Sequence, residues 1–202
     1  MILSIIAIQK NKETKKRFLS KRKCSTIAQY LLGYVIFTNI EWNICSVIIA
    51  RTEAYSWTND KAYHWKIYTS RTKIMFWEWW NIYTYLCYGL RILTNIVTNI
   101  KWKIDAVLVH AIFPISGFKI IPNRYKNFQE NKNIIWPWKV SKALWISLSN
   151  YWENLTWDKI QIEKWYDFAK NKEIIIWPRI WIGHAWEEAI LLRRFKLKKY
   201  TK

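Results

Sequence analysis

The residues whose types and spacing could do chemistry gather near the C-terminal end of the chain. An extended run, Glu173-Ile174-Ile175-Ile176-Trp177, meets Pro178, and a Gly183-His184 pair follows. The chain then closes on Arg193-Arg194-Phe195-Lys196-Leu197-Lys198-Lys199. Such a series can press backbone and cations onto phosphates. Arg and Lys neutralise the charge, and the glycine lets the main chain approach closely. The segment from Ile182 to Arg193 also fits the apolar spacing of an amphipathic helix, so both readings stand at this point.

Little else suggests reaction chemistry. His64, His110 and His184 are far apart and adjoin no Ser or Cys nucleophile pattern. There is no phosphate-binding Gly-rich loop and no His-Glu-x-x-His pair. Glu187 and Glu188 resemble an acid/base pair, but helix neighbours diverge by about 100° and would not face one substrate. Cys24, Cys45 and Cys87 are widely spaced and form no Cys-x-x-Cys ligand set, so they read as buried or free thiols. The expectation is a protein that is not an enzyme, with no catalytic residues, no cofactor and no metal.

Charge narrows the partner. Lys and Arg number 33 against 14 Asp and Glu, a net charge of +19 over 202 residues. That excess implies a polyanion, either nucleic acid or an anionic membrane surface. Residue usage is unusual as well, with 16 Trp against 8 Phe and only 4 Gly and 4 Pro. Abundant Ile, Asn, Lys and Tyr indicate an AT-rich genome. The tryptophan excess indicates a UGA codon read as Trp, so a mitochondrial gene is expected.

The elements that must position these residues can be outlined. Met1–Ile8 is apolar but short, and Lys10–Lys23 is a cationic arm. Thr26–Ala50 is long enough to span a membrane, yet it contains Gln29, Asn39, Glu41 and Asn43. An acid at mid-membrane costs about 2.5–3.5 kcal/mol, so a buried helix packed on a partner is expected. Lys73–Ile100 places Trp77, Trp80, Tyr83 and Cys87 on one helical face. A second helix is expected near Asp105–Ile112, capped by Asp105 and ending before Pro114. Gly117–Pro137 reads as loop. Ala143–Leu148, Trp157–Trp165 and Glu173–Trp177 read as strands, with a turn at Asp167–Asn171.

The order Ile182-Gly183-His184-x-Trp186-x-Glu188, with Arg193 and further basic residues, resembles the end of bacterial-type small-subunit ribosomal protein family nineteen. Lys103-Ile104-Asp105 with Leu108 and Val109 is similar to that family's entry into its first helix. Ala185, Glu187, Ala189 and Leu192 depart from the pattern. The resemblance covers about the last hundred residues. It implies an α+β fold, a small antiparallel sheet with a packed helix at residues 96–202, preceded by a mainly helical extension at 1–95. It implies a structural constituent of the mitochondrial small ribosomal subunit, localised to the matrix. The partners would be small-subunit rRNA and head proteins such as family thirteen, with no small-molecule substrate and no membrane. The expected RNA contacts are Lys103, Arg179, Gly183, His184, Arg193, Arg194, Lys196, Lys198 and Lys199. Glu188 would pair with an Arg or with a base or ribose donor. The alternative is a membrane-associated accessory subunit of a respiratory complex.

Overall fold

The structure, a computed structural model, describes residues 22–56, 68–77, 80–98, 100, 104–126, 128–130, 132–156, 159–164, 173–180 and 189–200. In chain order the elements are α1 (Cys24–Leu31), β1 (Tyr34–Ile40), β2 (Asn43–Ser56), a 3-10 turn (Lys73–Phe76), β3 (Ile82–Cys87) and β4 (Arg91–Thr98). There follow β5 (Asp105–Ser116), α2 (Ile121–Arg124), β6 (Ile134–Ile135), α3 (Pro137–Ala143), β7 (Ile160–Lys164), β8 (Ile174–Trp177) and β9 (Arg194–Leu197).

The two longest strands, β2 and β5, pair antiparallel and form the spine. Both contain apolar runs rich in β-branched residues, Val47–Ala50 in β2 and Ala106–Val109 in β5, as strands covered on both faces require. Every residue from Asp105 to Ile112 is buried. Around this pair the described strands form one nine-stranded sheet in the order β3-β4-β5-β2-β1-β7. Strand β6 adds to β5, and β9 joins both β2 and β8. Strand β1 has buried residues alternating with half-buried ones, the period-2 signature of a strand with one face inward.

Helix α1 buries Cys24, Ile27, Ala28 and Leu31, one face at 3.6-residue spacing, and packs on β2 and β5. Thr52 Oγ1 donates to the Ala28 carbonyl at 2.9 Å, tying the helix to the middle of β2. The Cys24 thiol lies 3.3 Å from the Ala106 carbonyl, and burial pushes its pKa far up, so it is a packing group. Helix α3 starts on Pro137 and packs on β4 and β5, with Ser141 Oγ 2.8 Å from Thr94 Oγ1. Phe195 of β9 is 1% exposed; burying such a side chain contributes roughly 1.5–3 kcal/mol, which anchors the C-terminal segment on the sheet.

This architecture corrects the expected fold class. The N-terminal region is not a helical extension, because Thr26–Ala50 contains one short helix, all of β1 and the first half of β2. The helix expected over Lys73–Ile100 is the β3–β4 hairpin, and the helix expected at Asp105–Ile112 is strand β5, with Asp105 pairing Ser56 rather than capping. Short apolar runs do not separate buried helix from buried strand by periodicity, and Val107, Val109 and Ile112 are the β-branched residues that decide it. Ala143–Leu148 ends α3 and is not a strand. Strands β7 and β8 fall inside segments expected as strands. Ile160 and Ile162 are buried, but Ile176 is 41% exposed. Trp157 and the turn at Asp167–Asn171 lie outside the described residues, as do Met1–Ile8 and most of the Lys10–Lys23 arm. Residues from both sides of position 95/96 contribute strands to the same sheet. No described helix is long and apolar enough to cross a membrane.

Candidate active site

Irregular pairing between β2 and β5 builds the site. The register steps from Ile49↔Ile112 to Arg51↔Ala111 and then to Thr52↔Val109, leaving Ala50 on one strand and His110 on the other without a partner. Such bulges bend strands and re-aim side chains. Beyond them, Glu53 lies opposite Leu108 on β5 and opposite Arg194 on β9. Glu53 is thereby held inside the sheet, with a histidine and an arginine from two neighbouring strands.

The Glu53 side chain is 2% exposed, and the Tyr55 hydroxyl donates to its Oε2 at 3.0 Å. Arg194 Nε lies 3.4 Å and His110 Nε2 3.7 Å from Oε1, yet Oε1 makes no hydrogen bond to any described residue. Burial raises the Glu53 pKa above the usual carboxylate range, while Arg194, the Tyr55 hydrogen bond, Arg179 and Arg51 pull it back. Burial, then Arg194 and Arg51, push the His110 pKa down to about 3. The His110–Glu53 distance is within ion-pair range, but the imidazole is neutral near pH 7, so the contact is dipolar. Tyr55 is raised well above the usual phenol value, by burial first and then by Glu53, and so stays a donor. Arg179 is 4% exposed; its Nη1 donates to the Ala54 carbonyl at 3.1 Å and its guanidinium stacks 4.7 Å from the centre of the Tyr55 ring.

Glu53, Tyr55 and His110 line a cavity of about 630 Å³. Its other walls are largely aromatic and aliphatic, including Tyr85, Leu93, Trp136 and Trp138. Beside the cavity stands the β3–β4 hairpin, whose tip Tyr88 is 90% exposed between the exposed Leu86 and Leu90. Arg71, Arg91 and Lys139 also line it, and the Arg91 guanidinium sits 5.0 Å from the centre of the Trp138 ring. A desolvated carboxylate with one oxygen outside any hydrogen bond, set among aromatic faces, can take a proton from water beside a planar heterocycle.

The residues expected to bind RNA are dispersed. Arg179 and Arg194 are drawn inward to Tyr55 and Glu53. Lys196 sits 3.8 Å over the Trp177 ring, and Lys198 pairs with Glu173 at 2.6 Å on the surface. Arg193 is half-buried and Lys199 exposed. Lys103, Gly183, His184 and Glu188 lie outside the described residues, as does His64. Sequence reasoning missed Glu53 and Tyr55. The available signal was the lone acid of the stretch 44–56, just beyond the apolar run Val47–Ala50, with a tyrosine two residues on, where strand periodicity puts both on one face.

Comparison with known proteins agrees with this geometry. Residues 17–201 match the family described as methylpurine-DNA glycosylase (MPG). A Chlamydia felis protein is 35% identical over 175 residues, 85% of this chain and 89% of its own length. A Chlamydia pneumoniae protein is 35% identical over 153 residues, 74% of this chain and 78% of its own. A Chlorobaculum tepidum protein is 31% identical over 171 residues, covering 84% and 80%. All three carry 3-methyladenine DNA glycosylase as a provisional name. These matches overturn the resemblance to ribosomal family nineteen, and with it the ribosomal role, the rRNA and ribosomal-protein partners and the mitochondrial location, since these relatives are bacterial. They equally overturn the respiratory-subunit alternative and the expectation of a non-enzyme without a small-molecule substrate. Net charge points to a polyanion without distinguishing its kind, and so short a motif as Ile182–Arg193 recurs by chance. The chain belongs to the methylpurine-DNA glycosylase family of enzymes.

Proposed function

We propose that the chain removes methylated purines from DNA by hydrolysing the bond between base and deoxyribose, with Glu53 as general base. One observation carries this reading: a buried carboxylate oxygen, Glu53 Oε1, without a hydrogen bond in an aromatic-lined cavity wide enough for a purine. Water held at Oε1 loses a proton to Glu53 as its oxygen bonds to C1′ of the sugar. The C1′–N bond breaks and its electron pair stays on the purine. A purine methylated on a ring nitrogen carries a positive charge and leaves as a neutral base, so it needs no acid. The site fits that requirement, with one carboxylate and a neutral His110 facing the same cavity.

Reaching the bond requires taking the nucleotide out of the stack, which costs a few kcal/mol. Tyr88, projecting from the hairpin tip beside the cavity, is placed to enter the vacated space, and Leu86 and Leu90 support it. Arg71 and Arg91 supply cations for the phosphates flanking the lesion, and the phosphate-contact role read for Lys198 and Lys199 carries over to DNA in this proposal. The test is a single-turnover incubation with a duplex bearing one 3-methyladenine and with the unmodified duplex. Free base and an alkali-labile abasic site from the first only are expected. Intact modified duplex at saturating protein would refute the reading.

A further inference from the structure

Eight of the sixteen tryptophans fall among the described residues: Trp42, Trp77, Trp80, Trp136, Trp138, Trp145, Trp152 and Trp177. Five of these eight have left-handed backbone, with φ of 64° at Trp42, 74° at Trp80, 91° at Trp136, 60° at Trp145 and 83° at Trp152. A bulky residue there is an outlier, because its Cβ crowds the backbone at about 1–2 kcal/mol per residue. Only Glu41 and Tyr88 join them among the described non-glycine residues. The described glycines Gly33, Gly89 and Gly117 occupy the same region, at 78°, 69° and 85°.

Local structure at positions 42 and 136 asks for glycine. Glu41 and Trp42 are the two-residue loop between Ile40 and Asn43, both with positive φ, a turn whose second position is ordinarily Gly. Trp42 is 90% exposed, so no packing compensates for its conformation. Trp136 precedes α3, where its N–H donates to the His110 carbonyl at 3.1 Å and its carbonyl caps the helix through Lys139 and Val140. Composition agrees. The chain has 4 Gly, whereas average usage of about 7% would give about 14. The missing glycines and the surplus tryptophans are similar in number.

We infer that the codons at positions 42, 80, 136, 145 and 152 are read as glycine in the cell that makes this protein. The codon reassignment suggested by the tryptophan excess is then real but of the other sense, UGA as glycine, and the mitochondrial argument built on it disappears. At position 136 the change removes an indole from the cavity wall, where the Trp136 ring stands 6.1 Å from that of His110. The site would then present backbone there, leaving more room for a base; this consequence rests on the function proposed above, whereas the codon inference does not.

Peptide mass spectrometry of the protein purified from its own cells decides the matter. Glycine at these positions is expected, each peptide lighter by the difference between an indolylmethyl side chain and a hydrogen; tryptophan would overturn the inference. A second measurement uses the chain as written. Trp42→Gly should raise Tm above the parent and above Trp42→Ala, since only glycine relieves the turn. Equal Tm for the Gly and Ala variants would count against it.

Discussion

Replacing Glu53 by Gln tests the proposed chemistry while leaving the shape of the site in place. The amide oxygen can still accept from Tyr55, whose hydroxyl lies 3.0 Å from Oε2, but the side chain can no longer take a proton from water. A positioned general base contributes about 10²–10⁴ in rate, equivalent to about 2.7–5.5 kcal/mol of barrier. The variant should therefore release base at least about 100-fold more slowly under single-turnover conditions. Affinity for lesion DNA, read by fluorescence anisotropy, should change little. Stability supplies an independent sign. Burial raises the folded-state pKa of Glu53, so its contribution is fully present below its unfolded value of about 4.3 and is lost as pH rises through the folded one. The Tm of E53Q relative to wild type should therefore climb as pH rises from about 4 upward. Leaving Arg194 unpaired offsets the curve without tilting it in that range. Release within about tenfold of wild type would remove Glu53 from the mechanism.

Tyr88→Ala should leave Tm unchanged within about 0.5 kcal/mol of stability, because the side chain is 90% exposed, while slowing base release from duplex more than from single-stranded DNA. Arg91→Gln should reduce the salt slope of duplex binding by about 0.9, the loss of one phosphate contact. Gly117→Ala would place a Cβ 2.7 Å from Cys45 Sγ at φ +85, and the left-handed cost of about 1–2 kcal/mol alone should lower Tm by at least about 2 °C. His110, depressed to about 3, contributes stability present above about pH 6.5 and lost as pH falls toward 3; His110→Asn should flatten that acid-side loss in a Tm profile.

What the sequence concealed follows from particular residues. The β1–β2 hairpin was invisible because its turn reads Glu41-Trp42, without the Asn-Gly or Asp-Gly that marks such a loop, and so Thr26–Ala50 looked like one continuous element. The β3–β4 turn does hold a glycine, Gly89, but Tyr88 and Leu90 on either side of it hide the turn inside an apolar run. Apart from Tyr55, the groups that make Glu53 a site come from far away in sequence: His110 reaches it by a bulge on β5, and Arg194 by the pairing of β9 with β2. Neither of these two contacts is encoded by local spacing. Strand β7 was legible by its alternation and β8 as a short β-branched run, and the cationic excess was legible because it needs no fold.

The central claim is that water, and no protein nucleophile, attacks C1′ at this site. Single-turnover base release by the wild-type chain in water enriched in heavy oxygen, with the abasic sugar analysed by mass spectrometry after borohydride reduction, measures it directly. The account predicts one heavy oxygen at C1′ of the product and no protein–DNA adduct trapped by borohydride. A trapped covalent adduct, or release of base without incorporation of solvent oxygen under conditions that prevent exchange at C1′, would contradict it.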